Sequence, residues 1–518
     1  MNSTGRLRLA AAAIVGASLV AGCAGNAPAE FTGKVPYKKP GEQPSVAAPT
    51  RQDTVLGPDA TPVPLSTAKK PNLLMITMDD AALKDMQFMP HLQKLVADQG
   101  VTIANGIAPS PICVPARASL LSGQYAQNHH ALTISGEGGG YQSFPDANTL
   151  PVSLQQAGYD TMMVGKYLNG YGRKDIGHQP PGWSIWRPLV DPATYNYEHP
   201  LILIDGKLVR SDTYSTTLLS DQSNTFIKDE AAKTGAAAKP WYMWVTYVAP
   251  HTGGPRQPDD PVGIGTPDPE KRDRGTFKSL KLDTTPEMFE KDPSDKRIIK
   301  AARRISSPAR KAGLRIDREQ RVESLQSVDR AIARTIATLK STGQLKNTYV
   351  VVTSDNGYFV GEHNLNGKLW YFRDSVKIPM FIRGPGVPKG ITSQAPVTNA
   401  DWAPTFAALA GTKMHRVEDG VNVMPWLASK ADRRVIPIAG WPVHGGLTPL
   451  YTGVMVGPWT YVRGKRGGGE MYYDKSDPYQ LYNIYSDPRF KSQRKELRRL
   501  WLQTRDCAGP TCPKTFMR

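Results

Sequence analysis

Between Ser110 and Gly123 the chain reads Ser-Pro-Ile-Cys-Val-Pro-Ala-Arg-Ala-Ser-Leu-Leu-Ser-Gly, with Cys113 between two prolines and Arg117 four residues on. Pro111 and Pro115 restrict the backbone on either side of the thiol. Ala116 to Leu121 carries the small and apolar residues of a first helical turn, so Cys113 is expected at or just before a helix N-terminus. Such an end offers unpaired N–H groups and a partial positive charge, which suits a bound oxyanion. Arg117 adds a planar guanidinium fork of the kind that grips sulfate or phosphate. Taken alone, the window reads first as a buried structural cysteine on a tight turn.

Four further places pair an apolar run with a reactive end. Asn72 to Met78 stops at Asp79-Asp80, and Thr161 to Val164 stops at Gly165-Lys166. Trp241 to Val248 stops at Ala249-Pro250-His251, and Asn347 to Thr353 at Ser354-Asp355-Asn356-Gly357. Each has a bland explanation by itself. A carboxylate after a strand is commonly a cap or turn residue, a lone lysine is solvated, and a lone histidine lies on the surface or in the core. Their coincidence is what points to a site. Asp79, Asp80, Asp355 and Asn356 make an all-oxygen donor set, which suits a hard divalent ion such as calcium or magnesium.

The elements that must position these groups follow from the pattern. The unbroken apolar runs suit strands buried on both faces of a parallel sheet. Helical spacing follows between them: Leu92, Leu95 and Val96 before Gly100, Pro151 to Ala157, Asp401 to Ala410, and Val322, Leu325, Val328, Ile332, Ile336 and Leu339 on one long amphipathic helix. Strand-helix alternation predicts an α/β fold, a mostly parallel sheet with helices on both faces. In such sheets ligands bind beyond the carboxyl ends of the strands, where the four reactive ends lie. Ile378 to Ile382 reads as a shorter strand. Residues 170–200 read as loop. Residues 252–320 are polar and read either as an insertion lining the site or as a solvated surface excursion. Beyond about residue 430 short strands and turns predominate, with a basic helix around 490–505.

A chain of 518 residues with 40% hydrophobic residues has room for a large core and an appendage. Its formal charge of +18 favours anionic partners. Nucleic acid is not expected, because no nucleic-acid-binding motif accompanies the charge. Residues 1–23 set Arg6 and Arg8 before an apolar run ending at Cys23, a signal-peptide layout too short to span a membrane. Residues 24–70 read as a flexible Ala/Pro-rich tether. Residues 71–430 then form the main domain, and 431–518 a C-terminal subdomain. Cys507 and Cys512 lie close enough to pair, as a disulfide or as a reduced couple.

Cys113-Val114-Pro115-Ala116-Arg117 resembles the C-x-P-x-R signature of the type I sulfatases, in which the cysteine is converted to formylglycine. The following Ser-Leu-Leu-Ser-Gly-Gln-Tyr-Ala-Gln-Asn-His-His and Gly165-Lys166-Tyr167-Leu168-Asn169 resemble the glucosamine-6-sulfatase branch. Ser354 to His363 is similar to the family's second metal-binding segment, and Gly367-Lys368 to its second lysine. The resemblance implies an alkaline phosphatase-like three-layer α/β/α sandwich with a small C-terminal α+β subdomain. It implies calcium, rather than magnesium, held by Asp79, Asp80, Asp355, Asn356 and the modified Cys113. It implies sulfate contacts from Arg117, Lys166 and Lys368, with His251 near the leaving oxygen. The family's formylglycine hydrate attacks sulfur with one hydroxyl and releases sulfate with the other.

The resemblance also implies partners: a sulfated small molecule or glycan, and a formylglycine-generating enzyme. Val20-Ala21-Gly22-Cys23 is similar to a bacterial lipobox, which places a lipid on Cys23 and the protein on the outer face of the cell membrane, or secreted. Leu168 stands where many members carry a histidine, and Asn169 is a further candidate site residue. Two other readings stay open: a phosphate or phosphonate ester hydrolase with the same metal corner, and a non-catalytic surface protein that binds sulfated glycans.

Overall fold

The computed structural model describes residues 70–304 and 306–518. The signal peptide, Cys23 and the tether to residue 69 lie outside the described residues. Eight strands build the main sheet: β1 (Asn72–Met78), β2 (Val101–Ile103), β3 (Asp160–Gly165), β4 (Ile185–Pro188), β5 (Trp241–Thr246), β6 (Thr348–Ser354), β7 (Met380–Arg383) and β8 (Ile391–Ser393). Their order is β8-β2-β7-β6-β1-β5-β3-β4. Only β7 runs against the rest, being antiparallel to both β6 and β2. Every residue of β1, β5 and β6 is buried, as apolar runs without alternation require.

The pleat divides these side chains between two helical layers. Leu73 and Met75 of β1 face one core, with Val114, Ala118 and Leu121 of α1 (Cys113–Ser122), Leu150 and Leu154 of α2 (Leu150–Gln156), and Trp402 and Phe406 of α5 (Trp402–Leu409). Leu74, Ile76 and Met78 face the other, with Leu219 and Phe226 of α3 (Ser215–Ala232) and Leu325, Val328 and Ile332 of α4 (Pro308–Ser341). The result is a three-layer α/β/α sandwich.

A separate five-stranded sheet follows: β9 (Arg433–Gly440), β10 (Tyr451–Val456), β11 (Trp459–Gly464), β12 (Gly469–Tyr473) and β13 (Phe516–Met517), in the order β12-β11-β10-β9-β13. The helix α6 (Lys491–Thr504) covers it through Leu497, Leu500 and Trp501. Cys507 and Cys512 form a disulfide. Among the described residues no helix is long and apolar enough to cross a membrane.

Three elements differ from the sequence reading. Residues 170–200 contain β4, an edge strand of the main sheet. The Leu92–Val96 segment is a short turn of α-helix, Pro90–Leu92, followed by a π-helical turn, Gln93–Ala97. The long helix α4 begins at Pro308, well before Val322. Its first turns are polar, yet Asp317, Arg318 and Arg321 are buried, so hydrophobic periodicity does not reveal them. Residues 252–304 are irregular but packed. The Glu287 carbonyl accepts from the His363 amide at 2.8 Å, and Glu290 Oε2 lies 3.0 Å from His363 Nδ1. This segment therefore braces the turn that leads to Lys368.

Leu325 is fully buried in the second core, whereas Leu502 of α6 is 39% exposed. Leu325→Ala should cost about 2–5 kcal/mol in urea-induced unfolding, and Leu502→Ala no more than about 0.5 kcal/mol. Equal costs would contradict the packing of α4 against the sheet.

Candidate active site

Cys113 is the first residue of α1, and its N-cap, Ile112, gives no side-chain cap. The helix start therefore faces the site with backbone N–H groups free of a capping acceptor. Arg117, one turn on, lies on the same face as Cys113. It is fully buried, and its Nε donates to Asp355 Oδ2 at 2.8 Å while Nη1 donates to the Lys166 carbonyl at 2.9 Å. A single guanidinium thus ties the ends of β3 and β6 to the cysteine helix.

The other strand ends close around it. Lys166 Nζ donates to Asp79 Oδ2 at 2.5 Å, and Cys113 Sγ lies 3.6 Å from Asp79 Oδ1. Lys368 donates to Cys113 Sγ at 2.9 Å and also to Asp80 Oδ1. His251 Nε2 stands 3.7 Å from Asp80 Oδ2, and its Nδ1 is 2.6 Å from the Thr252 carbonyl. A carbonyl only accepts, so Nδ1 carries the proton and Nε2 faces the site. All nine positions singled out from the sequence converge. Asn169 lies one step away: its Nδ2 donates to the Tyr195 hydroxyl at 2.8 Å. Leu168 is buried in the first core and contributes no polar group to the site.

The electrostatics are those of a crowded, dry corner. Asp79, Asp80 and Asp355 are essentially buried, and Arg117, Lys166 and Lys368 stand against them in equal number. Burial and the neighbouring Asp79 push Asp355 up to about 6. Burial works to raise Asp79 too, but Lys166, His251 and Arg117 outweigh it and hold its carboxyl well below the usual range. Burial drives His251 down to about 4 against the pull of Asp79 and Asp80. Burial also pushes the Cys113 thiol up to about 12, with Lys166 and Lys368 opposing. A thiol held there stays protonated at neutral pH and is a poor nucleophile.

The residues fit a hard cation. Ligand atoms of Asp79, Asp80, Cys113 and Asp355 all lie within 4.8 Å of one another. Asn356 Nδ2 is spent on Asp80 Oδ1 at 2.7 Å and on the Gly357 carbonyl, which leaves its Oδ1 buried without a partner. A buried amide oxygen with no donor is costly unless something positive meets it. Arg117 Nη2 is likewise buried without a hydrogen-bond partner, its nearest carboxylate oxygen being Asp79 Oδ1 at 3.6 Å.

Sequence reasoning missed the supports. Tyr195 stacks on His251 with ring centroids 4.5 Å apart and lies 5.1 Å from Lys166 Nζ. The Asn399 side chain donates to the Asp355 carbonyl at 3.0 Å. Tyr195 sits in an aromatic loop with no periodic signal, and Asn399 reads as an ordinary helix-start residue.

The architecture first defines a class, the alkaline phosphatase-like α/β/α fold. A structure solved in complex with its substrate D-glucosamine-2-N,6-O-disulfate superposes with a TM-score of 0.69 at 22% identity, over 84% of this chain and 97% of that one. A phosphonate monoester hydrolase from Silicibacter pomeroyi shares the fold too, with a TM-score of 0.61 at 21% identity over 83% and 94% of the two chains. More narrowly, the chain belongs to the sulfatase family, whose profile matches residues 71–412.

Among its relatives, an extracellular sulfatase SULF-1 homolog of Drosophila melanogaster is 31% identical over 70% of this chain and 32% of the fly protein. The N-acetylglucosamine-6-sulfatase of Capra hircus is 29% identical over 70% of this chain and 64% of its own. The chain thus spans about a third of the first relative's length and just under two thirds of the second's.

Gly165 closes β3 at φ 110°, and a Cβ there would stand 2.1 Å from the Thr246 carbonyl. Gly158 also has positive φ, 89°, but faces open space. Gly158→Ala should cost about 1–2 kcal/mol from φ alone. Gly165→Ala should cost a further ~1–3 kcal/mol from overlap, read by urea unfolding. Equal costs would mean that the approach of the Lys166 loop to β5 is not fixed.

Proposed function

We propose that the protein hydrolyses sulfate monoesters, with Cys113 converted to formylglycine as the nucleophile and a sulfated amino sugar as substrate. The convergence of Cys113, Arg117, Lys166, Lys368 and His251 on one oxygen-lined corner carries this reading. The amino-sugar assignment rests on the family's N-acetylglucosamine-6-sulfatases and on the disulfated glucosamine named for the superposed structure.

Asp79, Asp80, Asp355 and Asn356, with residue 113, would hold a divalent cation, calcium in preference to magnesium. When bound, it supplies charge neutralisation at the sulfate oxygens and acidifies oxygen at position 113. The chain's own residues do the rest. The three buried carboxylates already balance Arg117, Lys166 and Lys368, so a divalent cation leaves net positive charge for an anion. The Arg117 Nη2 and the two lysine ammonium groups fix the sulfate oxygens that crowd the sulfur. The neutral ring keeps its proton on Nδ1, so His251 must take up a second proton at Nε2 before it can deliver that one to the departing alcohol oxygen. Asp79 and Asp80 favour the uptake, and Nδ1–H, held on the Thr252 carbonyl, keeps the ring aimed. Tyr195 buttresses that ring from one side.

We place the protein outside the cytoplasm on a Cys23 lipid, a reading that the Cys507–Cys512 disulfide supports. The same corner would accept a phosphate or phosphonate ester, so aryl sulfate and aryl phosphate need to be compared.

Purified enzyme, co-expressed with a formylglycine-generating activity, should show the thiol-to-aldehyde mass change in the Cys113 peptide and hydrolyse aryl sulfate faster than aryl phosphate. Cys113→Ser should abolish turnover, and chelation should remove most of it, with calcium restoring more than magnesium. Wild-type rates in Cys113→Ser, or faster hydrolysis of the phosphate ester, would sink the proposal.

A further inference from the structure

The helix α4 contributes an arginine that the mechanism above does not use. Arg321 is fully buried. Its Nη1 donates to the Pro250 carbonyl at 3.1 Å, its Nη2 donates to the Asp80 carbonyl, and its guanidinium lies 3.9 Å from the centre of the Tyr358 ring. Those three groups belong to three different strand-end loops. Pro250 precedes His251, Asp80 is a candidate metal ligand, and Tyr358 follows Asn356 by two residues.

We propose that Arg321 is a positioning residue that locks the β1, β5 and β6 loops in register, so that Asp80, His251 and Asn356 meet around one point. The inference rests on the proposed metal corner for its consequence, and on Arg321's own contacts for its substance.

A buried guanidinium loses several kcal/mol of hydration, which a nearby carboxylate ordinarily offsets. Here Asp85, 3.8 Å from Arg321, is shared with Arg318 and the Ala82 amide, and Asp317 stands one turn earlier on the same helix, but Arg321 donates a hydrogen bond to neither. The hydrogen bonds of Arg321 go to main-chain carbonyls, a use that fixes backbone. Next, Asp80 holds φ 68°, a left-handed conformation that costs a non-glycine residue and persists only where its surroundings over-determine it. The bond from Arg321 to the Asp80 carbonyl is one such constraint on the main chain, and the Asp80 amide, bonded to Asp355 Oδ1 at 3.1 Å, is a second, while Asn356 and Lys368 hold the side chain. Lastly, the planar fork reaches two carbonyls while its face packs on a ring, a geometry that lysine cannot reproduce. One turn earlier on α4, Asp317 Oδ2 accepts from Asn366 Nδ2 at 3.4 Å. Asn366 precedes Lys368 by two residues, so the same face of the helix also reaches the loop of the second lysine.

The test uses Arg321→Met and Arg321→Lys in the full chain, with Leu325→Ala as a helix variant that loses stability without touching the loops. Hydrogen exchange on the metal-free protein should quicken at the Asp80, Ala81 and His251 amides in Arg321→Met, and less in Arg321→Lys. Calcium affinity, by titration calorimetry, should fall about 10–100-fold in Arg321→Met and remain at the wild-type value in Leu325→Ala. In aryl sulfate hydrolysis kcat should fall with KM unchanged. Unaltered exchange at those amides in Arg321→Met overturns the proposal, as does equal quickening there in Leu325→Ala. Should Arg321→Met not fold, Arg321→Lys and Tyr358→Leu carry the same readings. A wild-type protein that binds no calcium would overturn the metal corner, while the exchange measurements would still decide the role of Arg321.

Discussion

The structure depends on a buried balance of charge. Three carboxylates and three cations share a corner from which water is nearly excluded, and neither set is tolerable there without the other. Arg117 is the pivot, because it alone reaches across: one nitrogen to Asp355, another to the Lys166 carbonyl, a third 3.6 Å from Asp79. An apolar replacement of the whole set would pack more cheaply. That the ions are retained at the carboxyl edge of a sheet, beside a helix start with no side-chain cap, supports the proposed anion site and is more than a strut for the fold requires.

The sheet makes this arrangement rigid. β1 is hydrogen-bonded to β5 on one side and β6 on the other, so Asp79, His251 and Asp355 emerge from three neighbouring strands in fixed register. β3 lies beyond β5 and delivers Lys166. Strands buried on both faces cannot slide without exposing an entire apolar set, so the positions of these groups are set by packing. Cys113 and Arg117 come from a helix, and Lys368 from a small antiparallel ribbon. Those two are joined to each other by the Leu369 amide, which donates to the Pro111 carbonyl at 3.0 Å.

How much of this could be read in the sequence follows from the same physics. β1, β5 and β6 were legible because burial on both faces leaves uninterrupted Val, Leu, Met and Trp runs that end abruptly in charge. Cys113 with Arg117 was legible because their spacing is one helical turn. β4 was not: Ile185-Trp186-Arg187-Pro188 is an edge strand, short and half polar, within a stretch of turn residues. The start of α4 was hidden because Asp317, Arg318 and Arg321 are buried for their hydrogen bonds and not for hydrophobicity, so periodicity assigns them to solvent. The segment 252–304 gave no signal because its few buried apolar residues, such as Ile264, Met288 and Ile299, are scattered without a period, and the rest of its anchoring is through side-chain and backbone bonds, among them those to the Glu362–Asn366 turn. Long-range polar contacts of this kind leave no pattern in a single chain.

The same limits bear on why the proposed proton-handling role falls to His251. Position 168 is a leucine, and the structure puts it in the hydrophobic core beside Tyr167, where a charged imidazole would be poorly tolerated. His251 is correspondingly well restrained. Its Nδ1 is anchored on the Thr252 carbonyl, its own carbonyl accepts from the Tyr197 hydroxyl at 2.7 Å, and its ring lies on Tyr195. Tyr195 is in turn held by the residue after Leu168, Asn169, whose Nδ2 donates to the Tyr195 hydroxyl. A ring held at one edge by Thr252 and on one face by Tyr195, on a backbone pinned by Tyr197, presents Nε2 at one point only, and the proposed proton donor needs that restriction more than it needs a second copy of itself.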